Sequence, residues 1–352
     1  MRPILAAALC LALPAHAATP DPDETAPVLQ AAADAIAGGY AAFSDAADAF
    51  EDKSVALCDS PSETALSDAR DAFAEAVDAW SRIELVKFGP VLSDNAADRI
   101  FFYPDRRGIG LRQVQAALAS EDVTVTDEGS LAGKSVALQG LGTAEYLLHG
   151  TDAETLATAA GAFRCDFTRA VAGAVATQAQ TLETAWTDPD GIAGRFADPA
   201  PEHRDFRSQD ESLRALLGVF TNGVELLRDQ RIKPFVEAED PAEPRLAAWW
   251  RSGLTARAIA ENAEGLRTLF EESGMNRLNA ETYGILWDEI AFELGNLTSI
   301  LARARDPETD PETLQGDAAA AYVISRSLRN TFAGRMAPAL GQTAAFSVLD
   351  GD

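Results

Sequence analysis

Histidine and cysteine are scarce in this 352-residue chain, at three each. With no H-E-x-x-H helix and no C-x-x-C pair, the usual tetrahedral zinc sites have no ligands to draw on. No G-x-S-x-G elbow exists either, and a Ser-His-Asp triad would have to be built around one particular imidazole. Long hydrophobic runs are missing too: the run from Ile4 to Leu13 is far short of the about 20 apolar residues a spanning helix needs. No stretch alternates as a strand would. Basic charge is in deficit, with 29 Lys and Arg against 55 Asp and Glu, for a net charge of −26. Such a field repels phosphate backbones and anionic membrane surfaces, which excludes nucleic acid as a natural partner.

The chain opens with Arg2, the apolar run, Pro14 and "AHA", the pattern of a secretory signal peptide cut after Ala17. The mature protein is therefore expected in the periplasm, without a membrane span. Cys10 and His16 leave with the leader. Cys58 and Cys165 remain, and an even pair in an exported chain points to a disulfide. Closing a loop of roughly a hundred residues would stabilise by about 4 to 5 kcal/mol in the chain-entropy model.

Helical periodicity runs through nearly all of the rest. Ile36, Tyr40, Phe43, Ala47, Phe50 and Leu57 mark the first helix. "SPSE" predicts a start at Ser60 with Pro61 in the first turn, ahead of the stripe Leu66, Ala69, Phe73, Val77, Trp80 and Ile83. Gly89 to Gly108 is irregular and aromatic. A short helix follows at 111–119, then helices at about 131–149 and 153–186. "TDPDGIAGRFADPAPEHRDF" has the composition of an inter-domain connection. Beyond it, "SQDE" opens a helix to about Ile232, and three more are expected at roughly 255–272, 279–305 and 311–336. The fold expected is all-α: two helical-bundle domains packed side by side, 18–189 and 208–352, with 190–207 between them.

The stretch "LQGLGTAEYLLHG", Leu138 to Gly150, stands out. Ala137, Leu138, Leu141, Ala144 and Leu148 form its apolar stripe, and Glu145 falls inside that stripe. A buried carboxylate must be paired, hydrogen-bonded, metal-bound or protonated. Gly140 and Gly142 each cost about 1 kcal/mol in a helix interior, a cost accepted where a backbone or ligand comes close. His149, four residues on, shares the face of Glu145. Two readings stay open: a ligand site, or a structural arrangement in which Glu145 meets an arginine and His149 caps the helix. "GTAEYLL" has a short echo in "NGVELL", Asn222 to Leu227.

"LQGLGTAEYLLHG" resembles the G-x-H-x-x-E region of imelysin-like proteins, a family once classed among the peptidases and tied to bacterial iron uptake. "AWSRIELVKFGPV", "RIFFYPDRRG", "GVELLRDQRIKPF" and "WWRSGLTARAIAENAEGLRTLF" extend the resemblance over most of the mature chain. It implies two helical bundles, a periplasmic location and a site near the domain interface. Gly140 and Glu145 match the motif's ends, and Gly142 stands where the family has its histidine. The metal-ligand pair is thereby reduced to one carboxylate unless His149 supplies nitrogen.

Around this motif, Trp80 and Glu84 lie one turn apart, and Glu84 either projects beside the site or is a solvated helix-end acid. Arg99 and Asp105 sit in the aromatic segment, and Arg228 with Asp229 offers a polar group from the second half. Oxygen ligands of this kind suit ferric iron. The function expected is a non-catalytic binding protein linked to iron or another metal, with Glu145, His149 and Glu84 as ligand candidates. The partners expected are a metal ion or small ligand at the domain interface, and other envelope proteins. The alternatives are a metallopeptidase, or an envelope interaction module without metal.

Overall fold

A computed structural model describes residues 19–342. The leader expected at 1–17 lies outside the described residues. Among them every regular element is helical, and no helix is long and apolar enough to cross a membrane.

The first half is built on α1 (Pro22–Asp59), α2 (Glu63–Ile83) and α7 (Ala162–Thr187), which pack lengthwise on one another. Their apolar stripes are buried as the periodicity predicts, Tyr40, Phe43, Phe50, Phe73 and Trp80 among them. The start of α2 differs from expectation. Ser62 is the cap, accepting from the Ala65 amide at 3.1 Å, because Ser60 closes α1 through its own amide to the Ala56 carbonyl. Cys58 and Cys165 form a disulfide joining α1 to α7, with Cα atoms 5.4 Å apart.

Between α2 and α7 run four short helices: α3 (Ala96–Ile100), α4 (Ile109–Ser120), α5 (Glu128–Ala132) and α6 (Gly140–His149). The single helix expected over 131–149 is thus divided. Gly140 adopts a φ of +74°, which breaks the helical run before it, and a 3-10 turn at Val136–Leu138 leads in. The helix expected from 153 begins only at Ala162, after two 3-10 turns.

The stretch expected as a connection also holds a helix, α8 (Ile192–Ala197). Ile192, Phe196 and Phe206 are buried there, and α8 packs on α1 and α7. Apolar residues spaced four apart overrode the Pro, Gly and Asp around them.

The second half comprises α9 (Gln209–Leu226), α10 (Lys233–Val236), α11 (Thr255–Ser273), α12 (Ala280–Leu301), α13 (Pro311–Thr331) and a terminal turn, α14 (Ala337–Ala339). Ser208 caps α9 as "SQDE" predicts. A wide π turn, Leu227–Ile232, joins α9 to α10. Helix α11 lies against α1 and α2 as well as α12, so the buried apolar residues of both halves form one continuous core. Along this seam the motif helix α6 meets the second half.

Candidate functional site

Helix α6 is held in place from its first residue. A β-carbon on Gly140 would come within 2.3 Å of the Arg99 carbonyl oxygen and 2.4 Å of that of Ile100, so only glycine permits this approach. Arg99 reinforces the joint by donating to Gln139 Oε1 at 3.0 Å and to the Ala132 carbonyl at 3.1 Å. Arg99 therefore helps to position α6. Asp105 is likewise structural, accepting from the Ile109 and Gly110 amides at 2.7 and 2.8 Å at the start of α4.

Glu145 is buried, as its place in the stripe predicts. Its Oε1 accepts from the Arg251 amide at 3.1 Å, the Ser252 amide at 3.1 Å and the Ser252 hydroxyl at 2.9 Å. Burial pushes its carboxyl above the usual range, and the Ser252 and Arg251 contacts only partly counter this. The turn that supplies these donors is tight, with Trp249 at φ +63° and Gly253 at φ +74°. Glu145 thus clamps the 249–253 turn of the second half to the first.

Next to this clamp rises an aromatic column. Trp249 stacks on Phe101 at 3.9 Å between centroids, Phe101 on Tyr103 at 5.4 Å, and the Arg231 guanidinium lies 4.8 Å from the Tyr103 ring centre. The Tyr103 hydroxyl donates to the Leu246 carbonyl at 2.9 Å, tying the two irregular segments together. Gly142 faces this column, and a β-carbon there would rest in ordinary contact, 3.7 Å from the Phe101 ring. The position matched above to the motif's histidine thus abuts an aromatic ring.

Arg231 carries the second joint across the seam. It meets Glu84 with two parallel hydrogen bonds, 2.9 and 2.6 Å, and both side chains are at most 4% exposed. Asn262 donates to Glu84 Oε1 at 2.8 Å. Burial alone would raise the Glu84 carboxyl, but Arg231 and then Lys87 and Asn262 outweigh it and hold it below the usual range.

Glu84 is therefore no solvated helix-end acid. Arg231, Asn262, Trp249 and Ser252 escaped the sequence reading. Arg228 and Asp229, which it singled out instead, pair with each other. The π turn explains the miss: a wider turn rotates Arg231 inward from where a regular helix would carry it.

His149 ends α6 half-buried, its ring 5.7 Å from Phe73. Burial, helped by the Arg70 charge, lowers its pKa to about 4, so it is neutral at physiological pH. No hydrogen bond links it to Glu145. Trp80 is buried against Phe43. The echoed acid Glu225 pairs with Arg329 of α13. Among the described residues, no three His, Cys, Asp or Glu side chains are gathered as a metal site would require. Of the candidate ligands, Glu145 engages the 251–252 turn through Oε1 alone, and Glu84 engages Arg231 and Asn262 through its two oxygens.

Fold and site together define an all-helical protein whose halves are joined across a seam by two buried carboxylates. The chain belongs to the imelysin family, whose model matches residues 36–324. It is similar in fold to an imelysin-like protein from Psychrobacter arcticum 273-4, with a TM-score of 0.74 at 19% identity, covering 94% of this chain and 100% of that one. It is also similar to a protein from Parabacteroides distasonis ATCC 8503 described as an iron-regulated protein A precursor. That match has a TM-score of 0.69 at 17% identity, over 90% of this chain and 96% of the other. At such identities the likeness is one of fold. No curated protein matches the chain.

Proposed function

We propose that this is a non-catalytic, periplasmic imelysin-family protein that works in iron or other metal uptake as a binding or docking component, its two bundles meeting at the Glu145 seam. The carrying observation is the state of Glu145, whose Oε1 accepts three hydrogen bonds from Arg251 and Ser252. Metal-dependent hydrolysis needs a metal-activated water and a positioned base. Here the motif acid is engaged as a structural acceptor, and its histidine partner is replaced by Gly142. The iron link draws support from the iron-regulated relative, and export from the disulfide and the leader pattern.

Titration of the mature protein with ferrous, ferric, zinc and calcium ions, beside Glu145→Ala, tests the reading. The expected result is no tight site that depends on Glu145. Stoichiometric tight binding abolished by Glu145→Ala would overturn the assignment of Glu145 as a clamp. Metal-dependent cleavage of an unfolded substrate, lost in the same variant, would restore the peptidase alternative. Transcript level under iron starvation and cell fractionation test the uptake role and the compartment.

A further inference from the structure

A cavity of about 440 Å³ opens between the end of α2, the 198–208 segment and α9, well within the size range of small-ligand sites. Lys87, Arg207 and Arg214 line it. Among the described residues, none of the three side chains has a carboxylate within ion-pair distance or a hydrogen-bond partner. Of the two acids on the wall, Asp205 is paired with Arg195, accepting at 2.9 and 3.1 Å, whereas Glu211 Oε2 accepts from the Arg207 backbone amide at 2.8 Å and keeps its charge.

Lys87 is the telling member. Its ammonium lies 5.8 Å from the centre of the Trp80 ring, and burial depresses its pKa although Glu84 pulls the other way. The Glu84 oxygens are occupied by Arg231 and Asn262, so they give Lys87 no hydrogen bond. A desolvated cation without a close counter-ion is costly unless something outside the chain completes it. Arg207 and Arg214 add planar donor forks suited to carboxylate or phosphate. Phe88 and Phe206, with ring centroids 6.0 Å apart, supply an apolar wall. The net acidic field is screened within about 8 Å at physiological salt, so these local cations decide what binds.

We propose that this cavity binds a small polyanion carrying carboxylate or phosphate groups, held by Lys87, Arg207 and Arg214. Calorimetric titration of the mature protein at low salt, with citrate and separately with pyrophosphate, tests it. Saturable binding of either probe is expected, weakened about tenfold or more in Lys87→Met and in Arg214→Gln and unchanged in Arg335→Gln. Citrate alone binding would assign carboxylate chemistry, and pyrophosphate alone phosphate. Circular dichroism confirms that each variant is folded, and exposed Arg214 keeps the test open should Lys87→Met misfold. No binding of either probe at millimolar concentration, or equal binding by both cavity variants, would overturn the proposal.

Discussion

The seam around Glu145 and Glu84 and the cavity around Lys87 lie on adjoining parts of the chain, yet they treat charge in opposite ways. At the seam each carboxylate finds donors from the other half of the molecule. In the cavity, half-buried Lys87 has no carboxylate within ion-pair distance, and Arg207 and Arg214 stand exposed beside it, likewise without one. A buried charge answered from within the chain is a joint, whereas one left without a close partner is placed to receive something. The family motif, which looks like the chemical site in the sequence, falls on the joint side of that division.

The contrast breaks most readily at Glu84. Glu84→Gln should cost about 3 to 5 kcal/mol in urea denaturation, because it leaves the buried Arg231 guanidinium uncompensated. Replacing both partners, Glu84→Leu with Arg231→Met, should recover most of that loss. A cost below about 1 kcal/mol for the single change would show that the pair does not hold the seam. Glu145→Ala ranks next, at about 2 to 3 kcal/mol, since it strips the acceptor from two amides and a hydroxyl. Amide exchange at Arg251 and Ser252 should accelerate in that variant, and unchanged protection there would argue against the clamp.

His149 sharpens the comparison through pH. Its folded pKa is depressed to about 4. Unfolded chains therefore bind the extra proton first, and the stability this imidazole contributes above pH 6.5 is progressively lost as pH falls toward 4. By pH 5 the loss should reach about 2 kcal/mol. Asp78, whose burial raises its pKa to about 6 against the pull of Arg257, acts in the opposite sense: stability rises as pH drops through 6. The two are separated by comparing the stability–pH profile of the native protein with that of His149→Gln. Parallel profiles would mean that His149 is hydrated and exerts no such effect.

Much of this is legible in the sequence alone. The stripes of α1 and α2, the burial of Glu145, the Cys58–Cys165 bridge and the all-helical class all follow from periodicity and residue chemistry. What Glu145 touches does not follow, because Ser252 lies 107 residues further on, in a turn whose strained backbone leaves no periodic trace. Arg231 is hidden by the π turn. Gly140 and Gly142 look alike in the sequence but differ in cause: one is required by two carbonyl oxygens, and the other merely faces Phe101. The cavity is invisible there because Lys87 and Arg214 are remote in sequence and belong to no recognisable motif.

The smallest expected effect is of the opposite sign to the rest and bears most directly on the division between joint and receptor. Lys87→Met keeps the aliphatic stem against Trp80 and removes an ammonium that burial disfavours. If Lys87 were a structural cation, its loss would destabilise the fold as the Glu84 change does. If it is held in readiness for an anion, its loss should leave the apo protein equally stable or stabilise it by up to about 1 kcal/mol. Thermal melts without added anion distinguish the two. A drop of several degrees in Tm would place Lys87 with the joints, through its electrostatic pull on Glu84. An unchanged or higher Tm, accompanied by loss of the stabilisation that citrate or pyrophosphate gives the native protein, would set it apart as a residue kept for binding.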